Sequence, residues 1–400
     1  MNPPLRLVVL ANGISKPGSL GGDTRIFVEL VKRWTASGVV RPLIVTSAEC
    51  RETCIDYGLQ EGFEYRLWPD APGVWSLGRH VLRAVQFRRL AERLGPELDY
   101  CRTIIYSATD FLTDVAPAYR LKQLRADMTW VASRFLFVPN PFKGWKYSYE
   151  PGIRIPDLKL LAASFYQKVV FTHVVRRANL FFITNEVDKI HFIRKGIAPS
   201  RIWPIYGGVH FNEINSTPEQ PKMYDGCFVG RISPQKGVLD LVEIWAKVCE
   251  RRPGARLALI GSGHRPFEEE LRRRINGRGL GKSIDLLGFM DGAEKHKVYK
   301  SSRVFLHTSV YDNYGMAACE AMAAAVPAVI YDLPPLRIAY PQGCLRARRN
   351  DQRSFADAVL HILGDEKTRA RLSAEAMEWA KTQDWDRKAL EVFEFLSASI

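Results

Sequence analysis

Two runs in this chain gather the residue types that handle phosphate and hydroxyl groups. The first, Val229-Gly230-Arg231-Ile232-Ser233-Pro234-Gln235-Lys236-Gly237, sets two cations around a turn after a short apolar strand, Cys227 to Val229. The second, Tyr311-Asp312-Asn313-Tyr314-Gly315-Met316-Ala317-Ala318-Cys319-Glu320-Ala321-Met322-Ala323, sets Asp312 before a Gly-containing turn and Glu320 eight positions on, within a small-residue helix. Arginine forks and lysine point charges neutralise a diphosphate leaving group, and carboxylates accept hydrogen bonds from hydroxyls. A helix beginning at Gly315 and Met316 would add unpaired N–H groups and the positive end of its dipole. Gly230 and Gly237 would let the backbone come close to a ligand. Glu320, flanked by Cys319, Ala321 and Met322, is expected to be buried, and then needs a ligand or a neighbour to satisfy it. The substrate this set suits is a sugar carried on a nucleoside diphosphate.

Strand-length apolar runs alternating with helical patterns must position these residues, which argues for βαβ units and parallel sheets. Leu5–Ala11 reads as the first strand, followed by a loop with Asn12, Gly13, Gly18, Gly21 and Gly22. Asp23 or Thr24 can cap a helix whose apolar positions are Ile26, Phe27, Leu30, Val31 and Trp34. Pro42–Thr46, Thr103–Ser107, Thr129–Ala132 and Leu180–Thr184 read as later strands, and Leu158 to Arg177 as a long helix with little polar surface. The stretch Asn215-Ser216-Thr217-Pro218-Glu219-Gln220-Pro221 is the best linker. The second half restarts with strands at 226–229, 256–260, 284–287, 303–308 and 328–331, and helices fill the chain from Ser354. The expected domains are 1–210 and 222–385, with a helix over 386–400 packing back on the first.

Four hundred residues exceed one ordinary core, and 46% hydrophobic with 25% charged residues is a folded, soluble composition. Apolar stretches such as Leu257–Ile260 and Asn179–Thr184 are far shorter than the roughly 18–20 residues that span a bilayer. Seven cysteines without a Cys-x-x-Cys pair fit a reducing cytoplasm. The chain starts directly into a strand with no signal-peptide pattern. A net charge of +14, with arginines clustered at 79–93, 272–278 and 346–353, reads either as attraction to an anionic surface or as solvated helix faces. No nucleic-acid motif accompanies it, so a membrane surface ranks above nucleic acid.

On these residues the chain resembles retaining glycosyltransferases of family four, strongly from about Asp225 to Asp386 and loosely before that. The resemblance implies the GT-B fold: two facing Rossmann-like domains with parallel sheets, acceptor in the first and nucleotide sugar in the second. Asp312-Asn313-Tyr314-Gly315-Met316 stands for the family's Glu-Gly-Phe-Gly-Leu, and Glu320-Ala321-Met322-Ala323 for its Glu-Ala-Met-Ala. By that match Glu320 takes the ribose hydroxyls, Asp312 lies at the sugar and phosphate end, and Arg231 and Lys236 stabilise the diphosphate. Leu259-Ile260-Gly261-Ser262-Gly263 matches the strand and turn bordering the nucleotide, and Leu287-Gly288-Phe289 the segment whose backbone reads the base. Gly21-Gly22 matches glycines that approach the donor phosphates, and Arg134 stands in for an acceptor-side histidine. The resemblance implies no metal and no cofactor. Asp384-Trp385-Asp386 lies between helices and reads as structural, and His173 as a packing histidine. The departures are Asp312 for Glu, Ala325 for Gly, and Asp332-Leu333-Pro334-Pro335 where a Gly-Gly pair is usual.

The implied function is metal-independent, retaining transfer of a hexosyl group to a glycan or lipid-linked acceptor in cell-envelope or polysaccharide biosynthesis. The implied place is the cytoplasm, peripheral at the inner membrane face. The alternative is a non-catalytic nucleotide-sugar-binding scaffold.

Overall fold

The computed structural model describes residues 4–12, 21–60, 62–68, 77–98, 102–135, 137–138 and 158–400. Gly13 and Gly18 lie outside them. The chain folds as two compact units. One holds the described residues up to Val138 together with Leu158–Gly207 and Trp385–Ile400; the other holds Gly208–Asp384.

The sheet of the first unit contains β1 (Leu5–Leu10), β2 (Val40–Ser47), β3 (Glu64–Trp68), β4 (Thr103–Ser107), β5 (Thr129–Arg134), β6 (Leu180–Ile183) and β7 (Ile202–Pro204). Its order is β3-β2-β1-β4-β5-β6-β7, parallel throughout. Parallel strands are covered by helices on both faces, so their sequences run apolar without alternation. Leu7 to Leu10 are all buried, and β4, β5 and β6 bring Ile105, Trp130 and Phe181 into one core with Phe171 and Phe192. The last helix, Trp385–Ala398, packs on helix Gly22–Ala36: Trp34 Nε1 donates to the Ala389 carbonyl at 2.8 Å, and Arg33 pairs with Asp386 at 2.5 Å.

In the second unit β8 (Tyr224–Val229), β9 (Leu257–Ile260), β10 (Ile284–Gly288), β11 (Ser302–His307), β12 (Ala328–Tyr331) and β13 (Cys344–Ala347) form a parallel sheet of order β10-β9-β8-β11-β12-β13. Helix Val238–Arg251 buries Val238, Leu241, Val242, Trp245 and Val248 on this sheet. Gly226 leaves the space: a Cβ there would lie 2.7 Å from Leu306 and 2.9 Å from the Trp245 ring. The winding goes from β8 outward to β10 and then returns to the other side of β8 with β11. At such a reversal the loops after the two central strands leave in opposite directions and open a crevice at the carboxyl edge. The loop after β8 carries Arg231 and Lys236; the loop after β11 carries Asp312 and Gly315.

The polar stretch 215–221, expected to be the linker, lies within the second unit. Residues Phe211–Asn215 are helical, Glu219 pairs with Lys300 at 2.7 Å, and Lys222 Nζ donates to the Lys300 and Ser302 carbonyls. The break between units falls instead at Gly207–Gly208.

Candidate functional site

The two crevice loops are stitched together by backbone and side chain. Val310 N donates to the Gln235 carbonyl at 3.0 Å, Gln235 Nε2 to the Tyr311 carbonyl at 3.3 Å, and Thr308 Oγ1 to the Lys236 carbonyl at 3.0 Å. This closeness depends on Gly237, at φ +64°, where a Cβ would fall 2.0 Å from the Thr308 oxygen. Across the seam Lys236 Nζ donates to Asp312 Oδ2 at 2.6 Å, and His307 Nε2 stands 3.1 Å from the same oxygen. Asn313 N donates to the other carboxylate oxygen at 2.9 Å. Burial alone would raise the Asp312 carboxyl, but the Lys236 ammonium and the His307 ring outweigh it and hold it well below the usual carboxylate range.

Helix Met316–Ala323 starts at Gly315, which sits at φ +73° with no side chain to cap the helix. A Cβ on Gly315 would come within 2.7 Å of the His307 ring. Tyr340 Oη donates to the Gly315 carbonyl at 2.9 Å, and the Tyr314 ring stacks on Tyr340 at 5.6 Å. The helix N-terminus with its N–H groups is thereby fixed beside Asp312 and Lys236, an arrangement that favours an anion. Arg231 is exposed and forms no ion pair among the described residues.

The loops after β9 and β10 continue this rim. Ile232 N donates to the Ser262 carbonyl at 2.9 Å, and Gly261 N to the Gly288 carbonyl at 2.7 Å. Gly261 is needed here because a Cβ would lie 1.9 Å from the Gly230 oxygen. Phe289 follows Gly288 and is 52% exposed.

Glu320 is buried, and the neighbours that satisfy it come from helix Gly292–Lys300. Lys295 Nζ stands 2.9 Å from Glu320 Oε2 and Tyr299 Oη donates to it at 3.0 Å. Of the two ways to satisfy a buried Glu320, a ligand or a neighbour, the structure shows neighbours engaging this carboxylate. Lys295 and Tyr299, like His307 and Thr308, were not singled out from the sequence. Lys295 reads there as one more surface cation beside Lys297 and Lys300, and only the packing of its helix turns it inward.

Of the expected residues, Gly230, Arg231, Lys236, Gly261, Phe289, Asp312, Tyr314, Gly315, Met316 and Glu320 all lie in the second unit, and all but Glu320 sit in the crevice loops, at the helix start or in the rim bonded to them. Gly21, Gly22 and Arg134 belong to the first unit. Gly21 precedes helix Gly22–Ala36 in extended conformation. Arg134 ends β5, buried, 3.7 Å from Asp110. Asp384 accepts from Phe211 N at 3.2 Å and Asp386 pairs with Arg33, so both serve the local packing.

A family profile described as Glycosyl transferases group 1 matches residues 211–379, the stretch that builds this crevice. Over that stretch the chain is similar to the group 1 glycosyl transferases. An uncharacterized glycosyltransferase of Methanocaldococcus jannaschii is 34% identical to it over 149 residues, covering 36% of each chain. The GDP-mannose:cellobiosyl-diphosphopolyprenol alpha-mannosyltransferase of Xanthomonas oryzae is 28% identical over 199 residues, 47% of this chain and 50% of that one. The chain thus spans between about a third and a half of the length of these curated relatives. Among solved structures, Anabaena HepE in complex with UDP and glucose superposes with a TM-score of 0.72 at 16% identity, covering 98% of this chain and 99% of that one. Sucrose-phosphate synthase from Thermosynechococcus elongatus does so with 0.73 at 18%, covering 99% of both. At such identities the likeness establishes the fold alone, which is GT-B.

Proposed function

We propose that this protein is a retaining glycosyltransferase that moves a hexosyl group from a nucleoside-diphosphate sugar to a glycan or lipid-linked acceptor in cell-envelope or polysaccharide biosynthesis. The observation that carries the reading is the crevice at the reversal of the second sheet, where Lys236, Asp312, His307 and the helix start at Gly315 converge. Lys236 and Arg231 neutralise the diphosphate as it leaves, and the amides at Gly315 and Met316 add fixed positive dipoles. Asp312 holds Lys236 in position and faces the sugar end. Glu320, oriented by Lys295 and Tyr299, takes the ribose. The acceptor oxygen bonds to the anomeric carbon as the bond from that carbon to the phosphate oxygen breaks, and the acceptor proton passes to the leaving phosphate on the same face. No protein base is required for that step.

HepE is solved in complex with UDP-glucose and the Xanthomonas relative is named for GDP-mannose, so both nucleotides belong in the test. A thermal-shift panel of UDP-, GDP- and ADP-sugars should raise the melting point for one of them. Lys236→Ala should lower turnover on the order of 10²–10³, the scale of one lost transition-state donor. A turnover that stays within about threefold of the parent rejects the role.

The engagement of both Asp312 and Glu320 by protein cations favours a second reading, a non-catalytic nucleotide-sugar-binding scaffold. Slow donor hydrolysis in the absence of acceptor distinguishes the enzyme from it. A peripheral membrane position is part of the proposal. Helix Leu158–His173 exposes Leu158 (79%), Phe165 (71%) and Val169 (38%), and among the described residues no helix is long and apolar enough to cross a bilayer. Part of the arginine surplus is not available to such a surface, since Arg274 and Arg278 both pair with Glu243. Flotation with anionic liposomes tests the association, and equal recovery with neutral vesicles counts against it.

A further inference from the structure

A buried ammonium joins the loop after β10 to the helix that carries Glu320. Lys295 lies within helix Gly292–Lys300 with its side chain 7% exposed. Its Nζ donates to Asp291 Oδ1 at 2.8 Å and stands 2.9 Å from Glu320 Oε2. Tyr299, one turn further along the same helix face, donates to that same Glu320 oxygen at 3.0 Å. Burial and the Glu320 charge push the Tyr299 phenol well above its usual range, so it remains a donor at neutral pH. Two donors on one oxygen fix the direction of the carboxylate.

Asp291 ties this contact to the loop. It occupies the N-cap position, where an aspartate ordinarily accepts from the first helix amides, yet its side chain makes no such bond. Its carboxylate turns to Lys295 instead. The loop it closes carries exposed Phe289 and is anchored to the crevice rim by the bond from Gly261 N to the Gly288 carbonyl. Charge decides what the cluster can take. Two carboxylates share this ammonium, and burial with the Lys295 charge pushes His296 downward, so that ring adds no positive charge at neutral pH. An ionised carboxylate only accepts hydrogen bonds. The cluster therefore suits hydroxyls and opposes a phosphate at the same place.

We propose that Asp291 and Lys295 are positioning residues for the donor: by fixing the Glu320 carboxylate and tying it to the Phe289 loop, they make nucleotide binding selective for an intact ribose. The inference rests on the proposed donor reading, which places a nucleoside diphosphate in this crevice. Both residues act through Glu320.

Calorimetric titration of the full chain with UDP, GDP and ADP, each paired with its 2′-deoxy form, tests this. The parent should bind one ribonucleotide at least about tenfold tighter than its 2′-deoxy form, the scale of one hydrogen bond to a charged group. Lys295→Met, which keeps the bulk of the side chain without its charge, should shrink that ratio to below about threefold. Asp291→Asn should shrink it by at least about twofold. The Asp291 side chain is 32% exposed and its replacement leaves the contact between Lys295 and Glu320 in place, so this variant decides the matter if Lys295→Met fails to fold. Lys297→Met, on the exposed side of the same helix, should keep the parent ratio. A role in folding alone would weaken both forms of the nucleotide alike. An unchanged ratio in Asp291→Asn and in folded Lys295→Met overturns the inference, as does a parent ratio near one. A parent that binds none of these ribonucleotides removes the donor reading itself, so the two failures are told apart before any variant is made.

Discussion

Replacing Lys236 with alanine tests the central contact through stability as well as rate. Removing one partner of a buried ion pair costs about 3–5 kcal/mol, most of it the burden of an uncompensated charge. Here the Lys236 side chain keeps 22% of its exposure and Asp312 10%, so water recovers part of the loss. His307 also remains 3.1 Å from the carboxylate. A destabilisation of roughly 2–3 kcal/mol is expected from these corrections. The double variant Lys236→Ala/Asp312→Asn leaves no stranded charge, and should be more stable than the sum of its single changes by roughly 1–2 kcal/mol. Urea unfolding of the four proteins at neutral pH gives this coupling directly. A coupling below about 0.5 kcal/mol would show that the two side chains do not support one another, and the crevice argument would lose its anchor.

Three further outcomes are expected. Burial raises the Asp114 carboxyl to about 7, against accepted bonds from Thr109 Oγ1 and Asn12 N. Between about pH 4 and 7 the native state then holds a proton that the unfolded chain has lost, so this group's contribution to stability falls as pH rises, by on the order of 2–4 kcal/mol. Asp114→Asn should remove that slope, and parallel pH curves for parent and variant would refute it. Ala325 sits at φ +59°, so Ala325→Gly should stabilise by about 0.5–1 kcal/mol, the relief of left-handed strain less glycine's added unfolded freedom. A lower melting point would sink that expectation. Gly315→Ala should destabilise by roughly 1–3 kcal/mol and abolish the nucleotide-sugar thermal shift, because its Cβ would press on the His307 ring. An undiminished shift would separate the helix start from the donor.

The central strands and the two crevice loops were legible in the sequence for one reason. A parallel strand buried on both faces must be a continuous apolar run, and a loop that brings backbone close to backbone must contain glycine at the contact. Thr103–Ser107 and Ala328–Tyr331 are read to the residue on that basis. The edge strands Glu64–Trp68, Ile202–Pro204 and Cys344–Ala347 were not read, because a strand with one neighbour can stay short and polar. Residue types alone named Lys236, Asp312 and Gly315, since charge and φ freedom are properties of single residues. That Lys236 grips Asp312 beside His307, and that Lys295 turns inward to Glu320, depends on which strands become neighbours and how a helix rolls against the sheet. Those are decided by packing between segments far apart in the chain, and only the tertiary structure contains them.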